Sequence, residues 1–321
     1  MNYYTDDREW SWLFKNAIKW DEILSLYYPT YPTEDGLNNK EEVLQFFEEL
    51  LTNTGAWAGS SVKERAAQLD REGAGKVVDG KTIPGAALSQ FYKEAKELGL
   101  IGMPLPREYG GLQVPAAMQF MVLAQLSRSC VGSSTQMAFF TSIAEMVHRY
   151  CDKETADRIV PQIINGELSG SMNLTEPGCG SDLGAIKTSA TPTTDGKYLL
   201  NGSKIFITNG GGGVAFVLAR IKGGPVGLEG ISMFFVEQEI TNEKGEKILN
   251  FKVAKNEEKM GMHASFTCEI VYENTVGVLI GKENEGFKYM LHLMNEARIA
   301  VGMQGLGGIE AALDYAVDYA T

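Results

Sequence analysis

Between residues 168 and 283 the chain carries short β-prone runs, and no helix-length segment separates any two of them. That spacing constrains the fold more than any other feature, because a helical crossover is the usual way to join parallel strands. The runs lie in TSATPTTDGKYLLNGSKIFITNGG, Val214 to Ile221, Ile231 to Ile240 and Cys268 to Gly281. Asp195-Gly196 and Asn201-Gly202 are dipeptides that favour the left-handed backbone of tight hairpins. The stretch is therefore expected to form an antiparallel sheet or barrel, with no βαβ series.

The flanks read as helix. Lys40 to Gly59 places Val43, Leu44, Phe47, Leu50 and Leu51 on one stripe, and Gly59-Ser60-Ser61 is expected to interrupt it. Val62 to Gly73 and Ala87 to Gly102 run helical to glycine stops, while Pro106 to Pro115 reads as a loop. Ala116 to Cys130 and Ser133 to Cys151 are apolar enough to be buried helices, and their Met and Phe content fits either core packing or a ligand pocket. From Glu285 a helical pattern returns, with Ile309, Ala312, Leu313, Ala316, Val317 and Ala320 on one stripe and no cap after it. A pattern stopping mid-helix reads as the front part of a longer protein. The expected class is α+β: a helical extension over 1–84, a helical domain over 85–167, a β-domain over 168–283, and the start of a helical region over 284–321.

Charge and composition narrow the functions. With 29 Lys and Arg against 41 Asp and Glu, a net charge of −12 makes nucleic acid a poor partner. No apolar run is long enough for a membrane span, and the polar, acidic start does not read as a secretion signal. Cys130, Cys151, Cys179 and Cys268 are far apart, which reads as reduced thiols in a cytoplasm. His148, His263 and His292 are isolated, so no metal site is expected.

The segment Met172 to Ala190, MNLTEPGCGSDLGAIKTSA, is rich in glycine. Gly178-Cys179-Gly180 continues to Gly184 as G-x-G-x-x-x-G and leads into a hairpin region, so it fits neither a dinucleotide fingerprint nor a P-loop. It is either a structural turn or a turn offering backbone N–H groups and small hydroxyls to a ligand.

Four blocks in order carry a resemblance. They are ELGLIGMPLPREYGG (Glu97 to Gly111), LTEPGCGSD (Leu174 to Asp182), NGSKIFITNG (Asn201 to Gly210) and KMGMHAS (Lys259 to Ser265). Together they resemble the acyl-CoA dehydrogenases, over roughly residues 85 to 321. The long start, with Trp10, Trp12, Trp20 and Trp57, resembles the larger subgroup that includes 3-methylmercaptopropionyl-CoA dehydrogenase. The resemblance implies a helical domain, a middle β-domain and a C-terminal bundle, here at most its first helix and a half. It implies FAD as cofactor, an acyl-CoA substrate, electron-transfer flavoprotein as electron acceptor, and a homo-oligomer. The implied reaction is α,β-dehydrogenation, with the Cα proton going to a carboxylate and the Cβ hydride to flavin N5. An acyl-CoA oxidase, a flavin monooxygenase or a non-catalytic binding fragment stay open as alternatives.

The same resemblance implies the site residues. Met172 to Ser181 would wall the flavin edge, with Leu174 lining the ring and Thr175 bonding its pyrimidine side. Ser181 would serve both pyrophosphate and pantetheine. Phe206, Ile207 and Thr208 would lie behind the ring, with the Thr208 hydroxyl near N5 and Phe206 where the family often has tryptophan. Asn295 and Arg298 would contact the CoA moiety. The base is expected beyond Thr321, since Ala297 occupies the position that supplies it in a minority of members. Glu296 is the runner-up, but one residue rotates a helical side chain by about 100°, which would point it away from that pocket.

Overall fold

The computed structural model describes residues 1–242 and 244–321. Its N-terminal region holds α1 (Arg8–Asn16), α2 (Trp20–Tyr27), α3 (Lys40–Trp57) and α4 (Lys63–Glu72). Asp7 and Asn39 cap α1 and α3 by accepting from the first free backbone N–H groups. Gly59-Ser60-Ser61 does not interrupt the helix as expected. Ala58–Val62 forms a single π-helical turn that carries α3 into α4. The glycine is there for contact, not for a break. A Cβ on Gly59 would lie 2.0 Å from the Met1 carbonyl oxygen, and one on Gly55 2.4 Å from Asn2 Oδ1. The first residues of the chain lie directly on this helix.

The stretch read as wholly helical also contains a hairpin, β1 (Gly75–Val78) with β2 (Lys81–Pro84). Its turn is Asp79-Gly80, both at positive φ, the same kind of dipeptide as Asp195-Gly196. The runs beside it are too short to show a period. Gly80 O accepts from Val253 N at 2.9 Å and from Gln238 Nε2 at 3.0 Å, so the hairpin leans on the β-domain. The second helical layer is α5 (Ala86–Glu97), α6 (Ala116–Ser129), α7 (Val131–Tyr150) and α8 (Lys153–Ile164).

The middle domain comprises β3 (Ser169–Asn173), β4 (Ser189–Pro192), β5 (Tyr198–Thr208), β6 (Gly213–Ile221), β7 (Ile231–Glu237), β8 (Glu239–Thr241), β9 (Lys247–Leu249), β10 (Lys252–Asn256) and β11 (Thr267–Ile280). Pairing runs β11-β5-β4-β6-β7 and back to β11, a closed barrel, with β10 added to β11 and β3 to β6. Closure leaves these five strands with no open edge. The pairing is not purely antiparallel, as the hairpin signals predicted: β3 and β4 both run parallel to β6. The intervening loop and β5 supply the length a parallel connection needs, so no helix is required.

One helix, α9 (Gly286–Ala320), forms the C-terminal region, 35 residues without a break. No helix among the described residues is long and apolar enough to cross a membrane. The stripe Ile309, Leu313, Val317 faces outward, and Gln304 and Gly307 are buried against the body. Below them Arg128 of α6 forms a two-bonded fork with Asp314, at 2.9 and 2.8 Å, and donates to Asp7 at 2.7 Å. Trp10 Nε1 donates to Glu310 at 2.8 Å. Both ends of the chain thus close on one guanidinium.

The crossing of α6 and α9 is tightest at Gly307, where a Cβ would lie 2.6 Å from Ala124 O and 2.7 Å from Arg128 N. A Cβ on the next glycine, Gly308, meets nothing within 4 Å. Gly307→Ala is expected to cost about 1–3 kcal/mol by overpacking. Gly308→Ala is expected to add about 0.5–1 kcal/mol through helix propensity. Urea denaturation of both variants checks this; equal shifts would mean that the helices do not cross here.

Candidate functional site

The glycine-rich segment is held from below by a buried ion pair. Lys204, fully buried on the inward face of β5, donates to Glu176 Oε1 at 2.8 Å and to Leu174 O at 2.9 Å. Glu176 also accepts from Lys187 N at 2.7 Å and Thr188 N at 3.0 Å. Burial works against its charge, but the Lys204 ammonium and these hydrogen bonds outweigh it and hold the carboxyl below its ordinary range. Above the pair, Glu176 and Cys179 exchange backbone hydrogen bonds of 2.8 and 3.1 Å, closing a tight turn. Ile205 N donates to Thr175 O at 2.9 Å. The segment is thereby stitched to β5, while Pro177, Gly178, Gly180 and Ser181 stay exposed.

On the other side of that stitch β5 bulges. Lys204 pairs with Ile270 and Ile207 with Cys268, so Ile205 and Phe206 together oppose the single residue Glu269. Phe206 sits at φ 58, a left-handed conformation that non-glycine residues seldom adopt. Its ring is 60% exposed, so it is not a sheet-core aromatic. Ile207 turns into the core, and Thr208 is half-buried opposite Thr267. Asn209 Nδ2 then donates to Gly170 O at 2.9 Å, tying the end of β5 to β3.

The structure therefore gathers Leu174, Thr175, Phe206, Ile207 and Thr208 around one seam. Met172, on β3, is buried beneath it, and Ser181 lies at its open rim. Asn295, Glu296 and Arg298 are on α9, in a different place. Arg298 Nη1 donates to Asn295 Oδ1 at 2.8 Å on the surface. Glu296 is half-buried and faces a cleft between α6, α7 and α9. The 100° step carries it into that cleft, against Glu145, rather than out to solvent. Lys204 and Glu145 were absent from the expected site, and Glu176 entered it only as part of the Met172 to Ser181 wall, with no role of its own. Lys204 had a visible signal, a cation on the inward alternation of an apolar strand; Glu176 and Glu145 had none.

Removing one partner of a buried pair strands the other charge, which costs about 3–5 kcal/mol. Lys204→Met is expected to lose that much in urea denaturation, and Lys204→Met with Glu176→Leu clearly less. Because the folded carboxyl of Glu176 titrates below its unfolded value, its contribution is complete at neutral pH. It is lost as pH falls through and below the ordinary carboxylate range, about 4. Wild-type stability should therefore drop more steeply with acid than that of the double variant, and parallel curves would remove the assignment.

Family profiles match this architecture. "Acyl-CoA dehydrogenase, N-terminal domain" matches residues 47–167, and "Acyl-CoA dehydrogenase, middle domain" matches residues 171–275. An acyl-CoA dehydrogenase of Bacillus subtilis is 36% identical over 72% of this chain and 60% of its own length. The 3-methylmercaptopropionyl-CoA dehydrogenase of Ruegeria pomeroyi is 31% identical over 100% of this chain and 54% of its own. A solved acyl-CoA dehydrogenase of Bacillus anthracis, complexed with FAD, superposes with a TM-score of 0.68 at 25% identity, over 82% of this chain and 42% of that one. The chain thus spans little more than half the length of the curated relatives it matches. With helical and β-domains that match in order and position, this chain belongs to the acyl-CoA dehydrogenase family.

Proposed function

We propose that this chain supplies the flavin-binding and part of the thioester-binding framework of an FAD-dependent acyl-CoA dehydrogenase. The observation that carries the reading is Phe206, an exposed ring fixed by a bulge beside the glycine turn and Thr175. A planar ring system fits there, with an aromatic face on one side and the backbone N–H groups of Gly178, Gly180 and Ser181 at its edge. The complex of the Bacillus anthracis relative with FAD supports the choice of cofactor.

When bound, FAD would supply the acceptor for the substrate hydride. The residues of this chain orient it. Phe206 would back the ring, Leu174 would line it, and the hydroxyls of Thr175 and Thr208 would offer donors at its polar edge. Ser181, at the rim, is placed to meet phosphate and pantetheine. The Cα proton needs a carboxylate within hydrogen-bond reach. We propose that the base comes from a residue outside 1–321; Glu145 and Glu296 face the helical cleft, and the relatives extend well beyond the length matched here. Electrons are expected to leave through an electron-transfer flavoprotein; fast reaction of the reduced flavin with oxygen would instead mark an oxidase.

Phe206→Ala is expected to weaken FAD binding about tenfold at most, the range of an aromatic stack. Thr208→Val should keep the fold and shift flavin retention or reduction potential. Flavin fluorescence titration and potentiometry measure both, and variants that match wild type in affinity, retention and potential would exclude the site. The outward stripe Ile309, Leu313, Val317 also predicts association: light scattering should show more than a monomer, and a stable monomer would contradict it.

A further inference from the structure

The cleft along α9 has two parts. The outer part encloses about 420 Å³ and is lined by Phe120, Glu145, Arg149, His292, Asn295 and Glu296. The inner part is narrow, about 20 Å³, with apolar Met103, Leu123, Met137, Ala138 and Ala300 beside Gln119. Phe120, Ser142 and Glu296 border both, so the two adjoin.

Its polar groups are mismatched. The carboxyls of Glu145 on α7 and Glu296 on α9 line the outer part of the cleft together, two like charges sharing one sheltered space. Burial first, then the Glu296 charge, pushes Glu145 up to about 8. Elsewhere a sheltered carboxylate has a cation: Glu176 has Lys204, Glu94 has Arg65, and Asp314 has Arg128. Arg149 lowers both carboxyls by its charge but ion-pairs with neither among the described residues, and its guanidinium contacts the His292 ring at 3.4 Å. A second group is left over as well. Gln119 is only 8% exposed, and its Oε1 is buried with no hydrogen-bond partner. The carboxyls and this amide share one property, unused capacity to accept hydrogen bonds.

We infer that the cleft receives the far end of an acyl thioester that carries a primary ammonium, with Glu145, Glu296 and Gln119 as its acceptors. This rests on the acyl-CoA function proposed for the chain and adds a substrate class to it. An ammonium has three donors and no acceptor, which suits two carboxyls and a lone amide oxygen. Its charge lets both carboxyls ionise. A hydrocarbon end would desolvate them and return nothing. The other charged or titratable groups on the cleft are Arg149 and His148 of α7 and His292 of α9. Arg149 disfavours an ammonium near its own end and so directs it toward the inner side of the pair.

The test is calorimetric titration of the full chain with an ω-aminoacyl-CoA and a plain acyl-CoA of matched length. An alkylammonium ion and the matching alkanol serve as probes that need no CoA site. The aminoacyl thioester should bind about tenfold or more tightly than the plain one, the size of one hydrogen bond to a charged group. Glu145→Gln with Glu296→Gln should abolish that preference; Gln119→Leu, which leaves the carboxyls in place, should reduce it. Equal binding of the two thioesters to the wild type would overturn the inference and leave the acyl-CoA reading standing. Binding of neither thioester, with alkylammonium still preferred and lost in the double variant, would keep the cation site and remove the acyl-CoA reading. Binding of no probe would remove both.

Discussion

The contact between Lys204 and Glu176 is the one on which the seam depends. It joins a strand of the barrel to a loop that has no ladder of its own, and it does so in the core, where an unmatched charge is costly. Because Glu176 also accepts from Lys187 N and Thr188 N, the same carboxylate fixes both ends of the excursion that leaves β3 and returns as β4. The glycines in between need no stabilisation of their own. They can leave their backbone open because the anchor is set beneath them.

A second element, α7, holds the two halves together. One of its faces meets the β-domain: Gly132 lies against Ala264, Gln136 donates to Ser265 Oγ at 3.1 Å, and Ile143 packs on Gly170 of β3. Its other face turns Thr135, Ala138, Ser142 and Glu145 toward α9. Gly170 accepts no side chain, since a Cβ there would lie 2.7 Å from Ile143 Cγ2 and from Val214 O. The spacing between barrel and helices is thus fixed by contact at a glycine, and the cleft lies along a neighbouring face of the same helix.

Much of this was legible in the sequence and some was not, for physical reasons. Order and type of the long elements came from period, because burial on one face imposes it. The hairpin-forming residues after the glycine turn distinguished it from a nucleotide fingerprint, which would lead into a helix. The Asp79-Gly80 hairpin escaped because strands of four residues carry too little alternation to count. The parallel pairings escaped because direction depends on how the barrel closes, and no local residue records it. Phe206 was read as a flavin neighbour by resemblance, but its left-handed backbone arises from a register slip against β11 that only the paired strand reveals. Glu145 and Glu296 are remote in sequence, so their meeting is a tertiary fact. The polarity of the second half of α9 was the hardest to read, since its apolar stripe points outward and its packed face carries Gln304, Gly307 and acids, whereas Met290 and Leu293 are buried in the first half.

Arg128 bears on the order in which the chain acquires its shape during synthesis. Its guanidinium can meet Asp7 once α6 has emerged, since both are then outside the ribosome. The Asp314 half of the fork is supplied 186 residues later. Until then a cation destined for burial keeps one side solvated, on the same helix as the apolar Phe120 and Leu123 that line the cleft along α9. Docking of α9 then pairs the guanidinium with Asp314 and covers this face of α6 in one event, an electrostatic latch between helices far apart in sequence.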